Sequence, residues 1–305
     1  MENLHFSQLI HVQAKKYGNR GVLYHRDELA GDWKTITWNG FAEQVSALAK
    51  AFIELGVVEH QRIAQFSQNK AENLVVDFAL YATRAVLVPM YATSSVAQVE
   101  FIVNDAEIGI IFVGDQQQYN VAYEVLQNSR FLKKIIAFDK KVVFADSVSG
   151  MYYDDLIKLG VKSTKHFEVE HRHDESVETD LACILYTSGT TGNPKGVMLP
   201  HSCLNEAMRL NTQRLTSLTD KDVSVAFLPL SHVFERTWCY LCLYNGISIY
   251  INQRPTEIQQ TIKDVRPTLM CAVPRFWEKV YAGVQGNLEK YSPFMLGIVT
   301  WAIAT

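Results

Sequence analysis

Residues 186–196 bring together the side chains that chemistry on polyphosphates requires. The stretch reads Tyr-Thr-Ser-Gly-Thr-Thr-Gly-Asn-Pro-Lys-Gly, with four Ser or Thr hydroxyls, three glycines and one lysine. Glycines allow backbone N–H groups to turn toward an anion, and hydroxyls add short donors. Lys195 offers a compact positive charge to phosphate oxygens. We interpret residues 187–196 as a phosphate-binding loop, called the cradle below.

Alternative functions fit the residues of the cradle less well. The Walker motif requires a Ser or Thr directly after its lysine, but Gly196 follows Lys195. The cradle also lacks the spaced glycines of a dinucleotide fingerprint. A serine hydrolase that uses Ser188 with His201 or His232 is disfavoured, because the cradle has no G-x-S-x-G elbow. Composition alone would also permit a Ser/Thr/Gly-rich surface loop. The order of the residues is what favours phosphate binding.

The ordered string T-S-G-T-T-G-N-P-K-G resembles the phosphate-binding signature of the adenylate-forming superfamily at every position. Members of this superfamily include acyl-CoA ligases, luciferases and peptide-synthetase adenylation domains. The resemblance implies that the cradle binds the β- and γ-phosphates of ATP through backbone N–H groups, hydroxyls and the ammonium group of Lys195. It also implies a contact from Thr187 to Mg²⁺. The implied nucleotide-binding residues are Thr187, Ser188, Gly189, Thr190, Thr191, Gly192 and Lys195.

A second motif, residues 229–236, reads P-L-S-H-V-F-E-R. His232 follows a predicted strand, and α/β sheets bind ligands beyond the carboxyl ends of their strands. Taken alone, His232 is more simply explained as a structural histidine. After a cradle, the motif resembles the superfamily segment whose histidine lies against the substrate carboxylate, and its Glu-Arg ending resembles long-chain fatty acyl-CoA ligases. The resemblance therefore assigns Lys195 and His232 to catalysis, and His232, Glu235 and Arg236 to the acyl substrate.

The reaction implied by this resemblance activates a carboxylic acid in two steps. The carboxylate attacks Mg·ATP to give an acyl-adenylate and pyrophosphate, and the thiol of CoA then displaces AMP. The expected partners are a fatty acid, ATP and CoA. Residues 272–279 also resemble the long-chain subgroup, although an ordinary helix start explains them equally well. Two alternatives stay open, namely an aryl or amino acid substrate and a non-catalytic nucleotide-binding remnant.

Several motifs of the superfamily are not found before Thr305. They are the Y-G-x-T-E glutamate that helps to hold the metal, a downstream acid that binds ribose, and a small C-terminal domain with its own lysine. We therefore expect residues 1–305 to form an incomplete N-terminal AMP-binding domain without turnover of its own. The C-terminal part of the large domain and the small C-terminal domain would be absent from this chain.

The elements that must position these motifs alternate between strand and helix. This alternation predicts an α/β fold, with parallel sheets covered by helices on both faces. Apolar runs predict strands at residues 62–66, 86–88, 108–113, 135–138 and 181–186. Residues 151–178 are richer in charge and less periodic, so we expect them to wrap the surface before the cradle.

Local signals set the predicted element boundaries. Gly56 should end one helix and Ser95 should cap another. We expect Pro89 to end the strand that begins at residue 86, and Ser202 to cap the helix after the cradle. A further strand is predicted at residues 268–273, before a helix near residue 276.

Composition narrows the function classes and the compartment. A net charge of −3 gives no reason to expect nucleic acid as a partner. Five scattered cysteines fit reduced thiols in the cytoplasm, with peripheral contact at the inner membrane face left open. Cys239 and Cys242 are expected on a helix, with their side chains in the protein core. His171 and His173 are expected in a solvated loop rather than a metal site.

Overall fold

The computed structural model describes residues 5–26, 31–187, 194–288 and 295. The chain divides into two compact units, residues 1–269 and 270–305, and the helix α11 (Pro274–Leu288) belongs to the second. The first unit contains the other helices and the strands. The strands are β1 (Gly21–Arg26), β2 (Trp33–Thr37), β3 (Arg62–Phe66), β4 (Val86–Met90), β5 (Ile110–Val113), β6 (Lys134–Ala137), β7 (Gly150–Tyr152), β8 (Leu181–Thr187), β9 (Lys195–Pro200), β10 (Val223–Ala226) and β11 (Ser248–Ile251). The helices are α1 (Leu9–Tyr17), α2 (Trp38–Glu54), α3 (Ala71–Ala82), α4 (Val96–Asp105), α5 (Gln116–Asn128), α6 (Tyr153–Lys162), α7 (His166–Asp174), α8 (His201–Arg214), α9 (Val233–Tyr244) and α10 (Ile258–Val265).

A seven-stranded sheet forms the centre of the first unit. Its strand order is β7-β6-β5-β3-β4-β8-β9, and every pair in it is parallel except β8 with β9. Alternate residues along its strands face two separate apolar clusters. Ile63 and Leu87 pack on the face with α2 and α3, whereas Ala64 and Val88 pack on the face with α4 and α5. The predicted α/β fold, with a sheet covered on both faces, is confirmed.

A smaller sheet of four strands has the order β10-β11-β1-β2. β10, β11 and β1 are parallel, and β2 closes the edge antiparallel to β1. Its buried residues Leu23 and Ile249 join the same apolar cluster as α2 and α3 of the larger sheet. Helix α9, which precedes β11 in the chain, also packs into this shared core.

The segment of residues 151–178 contradicts the prediction of a surface wrap. β7 adds an edge strand to the large sheet, and α6 packs its buried Tyr153 and Leu156 against α2. Gly160 makes this crossing close, because a Cβ there would lie only 1.7 Å from the carbonyl oxygen of Ala47. The charged residues of α6 occupy one side only, so a high charge content conceals an amphipathic helix.

Several predicted boundaries are confirmed and three are wrong. Ser95 caps α4 in a capping box with Gln98, and Gly56 follows α2 at a positive φ of 77°. β4 continues through Pro89, because the fixed φ of proline is compatible with extended backbone. α8 begins at His201 rather than after Ser202. Residues 268–273 form only an isolated bridge, from Leu269 to Ser224.

Candidate functional site

The ends of the cradle lie side by side in the structure. β8 and β9 pair antiparallel, and Thr187 is the direct partner of Lys195. Both residues are exposed. The connection 188–194 therefore leaves one strand and re-enters the next at neighbouring positions. The predicted nucleotide-binding residues Ser188, Gly189, Thr190, Thr191 and Gly192 lie outside the described residues.

Tyr186 explains why the cradle ends in a glycine. Its ring crosses the backbone of its partner Gly196, where an added Cβ would lie 3.2 Å from the ring and 2.8 Å from Cγ2 of Ile184. The phenol donates a hydrogen bond to Oδ2 of Asp105 at 2.5 Å. Burial, together with the neighbouring Asp105, raises the pKa of Tyr186, so the phenol stays protonated at neutral pH. This packing ties the β8–β9 pair to α4.

The strand register shows which edge of the sheet the cradle occupies. Leu87 pairs with Cys183, and Phe66 pairs with Met90, in parallel ladders. Extending both ladders places Thr187 level with the residue that follows β3. Because neighbouring strands lie about 4.8 Å apart, the ends of β3 and β8 are separated by roughly 10 Å across the sheet. The cradle and the loop after β3 therefore share the carboxyl edge of the large sheet.

His232 stands at the start of α9 with an exposed side chain. Its Nδ1 accepts a hydrogen bond from the backbone N–H of Phe234 at 3.1 Å. An imidazole nitrogen that accepts a hydrogen bond carries no proton, so the neutral ring bears its proton on Nε2. The exposed side of His232 is therefore a hydrogen-bond donor for a carboxylate or carbonyl oxygen.

Asn69, which follows β3, holds the loop that leads to His232. Its side-chain Nδ2 donates to the carbonyl oxygen of Leu228, and its Oδ1 accepts from the backbone N–H of Leu230, both at 2.8 Å. These two bonds bring residues 228–232 to the same sheet edge as the cradle. Sequence reasoning did not identify Asn69, and an isolated asparagine in the sequence gives no signal for this role.

Arg236 and Glu235 lie in the interior of the protein, 2% and 0% exposed. Arg236 donates from Nε to the carbonyl oxygen of Leu230 at 2.7 Å and forms an ion pair with the fully buried Asp77. Burial lowers the pKa of Arg236, but the Asp77 carboxylate more than offsets this, so the net direction is upward. The predicted contact of Glu235 and Arg236 with an acyl substrate stays a prediction.

Asp77 accepts two further hydrogen bonds, from Nε2 of Gln65 and from the hydroxyl of Tyr240, each at 2.7 Å. Burial raises the pKa of its carboxyl group, and the charge of Arg236 acts against that shift. Both carboxylate oxygens thus have donors, as a buried charge requires. Sequence reasoning missed this residue, although an aspartate within the apolar stretch of α3 was a usable signal.

The remaining candidates of the sequence fall into the core or onto α7. Cys239 and Cys242 are buried on α9, which confirms them as core residues. His171 and His173 lie on the helix α7 and not in a loop. Arg172, between them, is buried and donates to the carbonyl oxygen of Val57, so one side of this helix packs against the protein. Within the described ranges, no group of three or more His, Cys, Asp or Glu residues is arranged to hold a metal ion.

Comparison with known sequences identifies the family of this chain. A family model described as AMP-binding enzyme matches residues 10–298. Long chain acyl-CoA synthetase 3 of Arabidopsis thaliana is 28% identical over 295 residues, which cover 92% of this chain and 44% of the relative. The long-chain-fatty-acid–CoA ligase FadD15 of Mycobacterium bovis is 30% identical over 87% of this chain and 43% of its own length. The chain thus spans less than half of these relatives.

Solved structures share the fold at lower sequence identity. The adenylation domain of a carboxylate reductase from Mycobacterium chelonae superposes with a TM-score of 0.81 at 20% identity, covering 96% of this chain and 50% of that one. The long-chain-fatty-acid–CoA ligase FadD1 from Archaeoglobus fulgidus gives 0.70 at 20% identity, with 87% and 50% covered. The fold of this chain is therefore a known architecture.

Proposed function

Because the chain belongs to the family of AMP-binding enzymes, we propose that it serves the ATP-dependent activation of a long-chain fatty acid. The family supports the adenylate-forming reaction, and the names of the two sequence relatives support the acyl class. The observation that carries the proposal is the pairing of Thr187 with Lys195 at the same sheet edge as the His232 loop. We also propose the cytoplasm as the location and CoA as the acceptor.

The proposed reaction begins with a carboxylate, which is a poor electrophile with a poor leaving group. One carboxylate oxygen attacks the α-phosphorus of ATP, and the bond from that phosphorus to the bridging oxygen of pyrophosphate breaks. The product is a mixed anhydride, the acyl-adenylate. The thiol of CoA then attacks the acyl carbon, and AMP leaves. Both steps depend on positioning and on stabilisation of negative charge.

Lys195 and the cradle would act on the pyrophosphate end of the nucleotide. The ammonium group neutralises charge that accumulates on the leaving β- and γ-phosphates, and the hydroxyl of Thr187 donates to the same oxygens. Since both residues belong to paired strands, their backbones are fixed before ATP binds. The proposed role of Ser188, Gly189, Thr190, Thr191 and Gly192 is to supply further donors.

His232 would act on the other reactant. Its Nε2–H points away from the helix cap that Nδ1 makes, so it is free to donate to an oxygen of the acyl carboxylate. One such bond orients the carboxylate for attack without removing the negative charge that makes it a nucleophile. Glu235 and Arg236, which lie beneath, are proposed to shape this end of the acyl site.

The residues present fit Mg²⁺ only as a cation held mainly by the nucleotide. Thr187 offers a single neutral oxygen, and Mg²⁺ in nucleotide sites is coordinated by phosphates, waters and few protein ligands. When bound, the ion supplies charge neutralisation on the phosphates. We assign Thr187 as its protein contact.

The decisive experiment compares nucleotide binding with binding of acyl-adenylate mimics. Because the chain is expected to lack turnover of its own, binding replaces catalysis as the readout. Calorimetry on the purified chain measures the affinity for Mg·ATP and for the sulfamoyl-adenosine mimics of the palmitoyl, benzoyl and phenylalanyl adenylates. Preferential binding of the palmitoyl mimic supports the proposal. Preference for the benzoyl or phenylalanyl mimic reassigns the substrate class, and ATP binding with no gain in affinity from any acyl group favours a non-catalytic nucleotide-binding protein.

A further inference from the structure

The loop that carries His232 is held by the buried side chains of Asn69 and Arg236. The proposed reaction does not itself explain these contacts. Both contacts act on the backbone of residues 228–230, which end two positions before His232. The imidazole is exposed, yet the groups that hold its loop are almost fully buried. The position of an exposed side chain is thus set from the interior.

The first contact comes from Asn69. Its amide binds Leu228 and Leu230 at the same time, once as a donor and once as an acceptor. An amide with both bonds in place fixes the height of the loop above the sheet and its rotation. No hydrocarbon side chain can replace this pair of bonds, and a hydroxyl would have to make both through one atom instead of two.

The second contact comes from the guanidinium of Arg236. Nε binds the carbonyl oxygen of Leu230, while Nη1 pairs with Asp77 and Nη2 reaches Oε1 of Gln65 at 3.4 Å. Arg236 lies one turn after His232 on α9, and its backbone N–H donates to the carbonyl oxygen of His232 at 3.2 Å. Asp77 on α3 therefore holds the Arg236 guanidinium, which in turn binds the loop before α9.

We propose that Asp77 and Asn69 are positioning residues that aim the Nε2–H of His232 at the acyl carboxylate. This inference rests on the proposed function, since it assumes that His232 meets the acyl group. Neither residue touches substrate. Asp77 acts through Arg236 and the Leu230 carbonyl, and Asn69 acts through the same loop directly.

A purely structural role makes a different prediction, and the chain contains a control for it. Asp180 also forms a largely buried ion pair, with Arg84, at 2.8 Å. It precedes β8 and so lies at the opposite end of that strand from the cradle. Removal of either carboxylate charge disrupts a buried pair, but only Asp77 is connected to the His232 loop. Asp77→Asn and Asp180→Asn therefore form a matched set.

The first readout is the tautomer of His232, observed by nitrogen-15 NMR of the imidazole rings and assigned with His232→Ala. In the wild-type chain we expect one protonated Nε2 and one unprotonated, hydrogen-bonded Nδ1. In Asp77→Asn the two ring nitrogens should move toward the averaged values of a mobile imidazole. Asp180→Asn should leave them unchanged. An unchanged His232 ring in folded Asp77→Asn overturns the inference.

The second readout is binding of palmitoyl-sulfamoyl-adenosine, a stable mimic of the acyl-adenylate, compared with AMP. Asp77→Asn and His232→Ala should each weaken binding of the mimic about tenfold while the affinity for AMP is retained. The double variant should be no weaker than His232→Ala alone, because Asp77 acts through the histidine. Additive losses, or an equal loss for AMP, overturn the inference.

Asn69→Ala keeps the test decisive if Asp77→Asn does not fold, because it releases the loop without disturbing the ion pair. The same two readouts apply to it, with the same expected changes and the same contrary results. Failure of the proposed function has a distinct signature. The wild-type chain would then not bind the mimic, whereas the tautomer of His232 would still respond to Asp77→Asn.

Discussion

Thr187 and Lys195 are direct partners across the antiparallel β8–β9 pair, at the point where the two strands meet the cradle. Directly opposed residues of an antiparallel pair project from the same face of the sheet. A hydroxyl and an ammonium group therefore stand together, on backbone that the ladder holds in place. This preorganisation distinguishes Lys195 from a lysine on a free loop, and it gives the proposed phosphate contact a rigid base.

The first prediction concerns the charge of Lys195. A charge-assisted hydrogen bond contributes about 1.5–3 kcal/mol, which corresponds to roughly one to two decades in affinity. Lys195→Ala should weaken Mg·ATP binding by that amount and AMP binding much less, because AMP lacks the β- and γ-phosphates. Calorimetry measures both affinities.

Lys221→Ala is the control for this prediction, since Lys221 is exposed in a turn before β10. Its affinity for both nucleotides should equal that of the wild-type chain. Equal losses for ATP and AMP in Lys195→Ala would mean that Lys195 supports the fold of the pair rather than the phosphates.

The central sheet was predictable because its strands are apolar on both faces and alternate with helices. β3 matches its prediction residue for residue. β9 was not predictable in this way. Its Val197 and Met198 are exposed, so it has no alternating pattern, and only pairing with β8 makes it a strand. The antiparallel end of the sheet therefore depends on contacts rather than on pattern.

The residues of the candidate site differ in the same way, because some lie in sequence motifs and others are placed only by contacts in the fold. Lys195 and His232 could be proposed from the sequence because each lies in a contiguous motif. Asp77 and Asn69 lie more than 150 residues before the loop they hold, and only the fold brings them to it. The burial of Arg236 was likewise not predicted, because the resemblance of its motif assigned it only to the acyl substrate. Long-range contacts of single polar residues are what the sequence conceals.

Gly160 should be intolerant of even one added methyl group. A Cβ at this position meets the backbone of Ala47, which cannot move without separating α6 from α2. Overpacking of this kind costs about 1–3 kcal/mol, and rigid backbone places the cost at the upper end. Gly160→Ala should therefore lower the urea midpoint of unfolding clearly, with an unchanged slope.

Gly283 supplies the matched control on another helix. A Cβ there has no neighbour within 4 Å, so Gly283→Ala should gain about 0.5–1 kcal/mol from helix propensity. A stable Gly160→Ala variant would show that α2 and α6 separate more easily than their contact implies.

The thiols should divide by exposure. Cys203 is exposed on α8, whereas the other four cysteines are buried. Burial raises the pKa of Cys183 to about 12, so this thiol is protonated as well as inaccessible at pH 8. Ellman's reagent should react with one thiol quickly and with five in denaturant. If buried thiols require a local opening of about 3 kcal/mol, they should react about a hundredfold more slowly.

Cys203→Ser tests the assignment directly, because it should remove the fast phase and leave the slow one. Two or more fast equivalents in the native chain would contradict the burial of at least one of the other four cysteines.

The last prediction concerns His201, which is buried between His5 and Tyr81. Burial, reinforced by the neighbouring His5, lowers the pKa of His201 from 6.5 to about 3, and the nearby Asp180 only partly opposes this. The folded chain therefore holds the ring neutral, whereas the unfolded chain takes up a proton below about pH 6.5. Since the unfolded state binds more protons, the free energy of unfolding must fall as the pH is lowered from 6.5 toward 3.

Between pH 7 and pH 5 this difference amounts to about 2 kcal/mol for a single histidine. The control variant His201→Phe keeps an aromatic ring against Tyr81 but cannot be protonated there. Urea unfolding at the two pH values should show that the wild-type chain loses about 2 kcal/mol more free energy of unfolding than His201→Phe. His166→Gln, at an exposed position at the start of α7, should lose as much stability as the wild-type chain. If His201→Phe and the wild-type chain lost equal stability, His201 would have to accept a proton within the fold. In that case the packing of His201 against His5 at the start of α8 would have to open to water in mild acid.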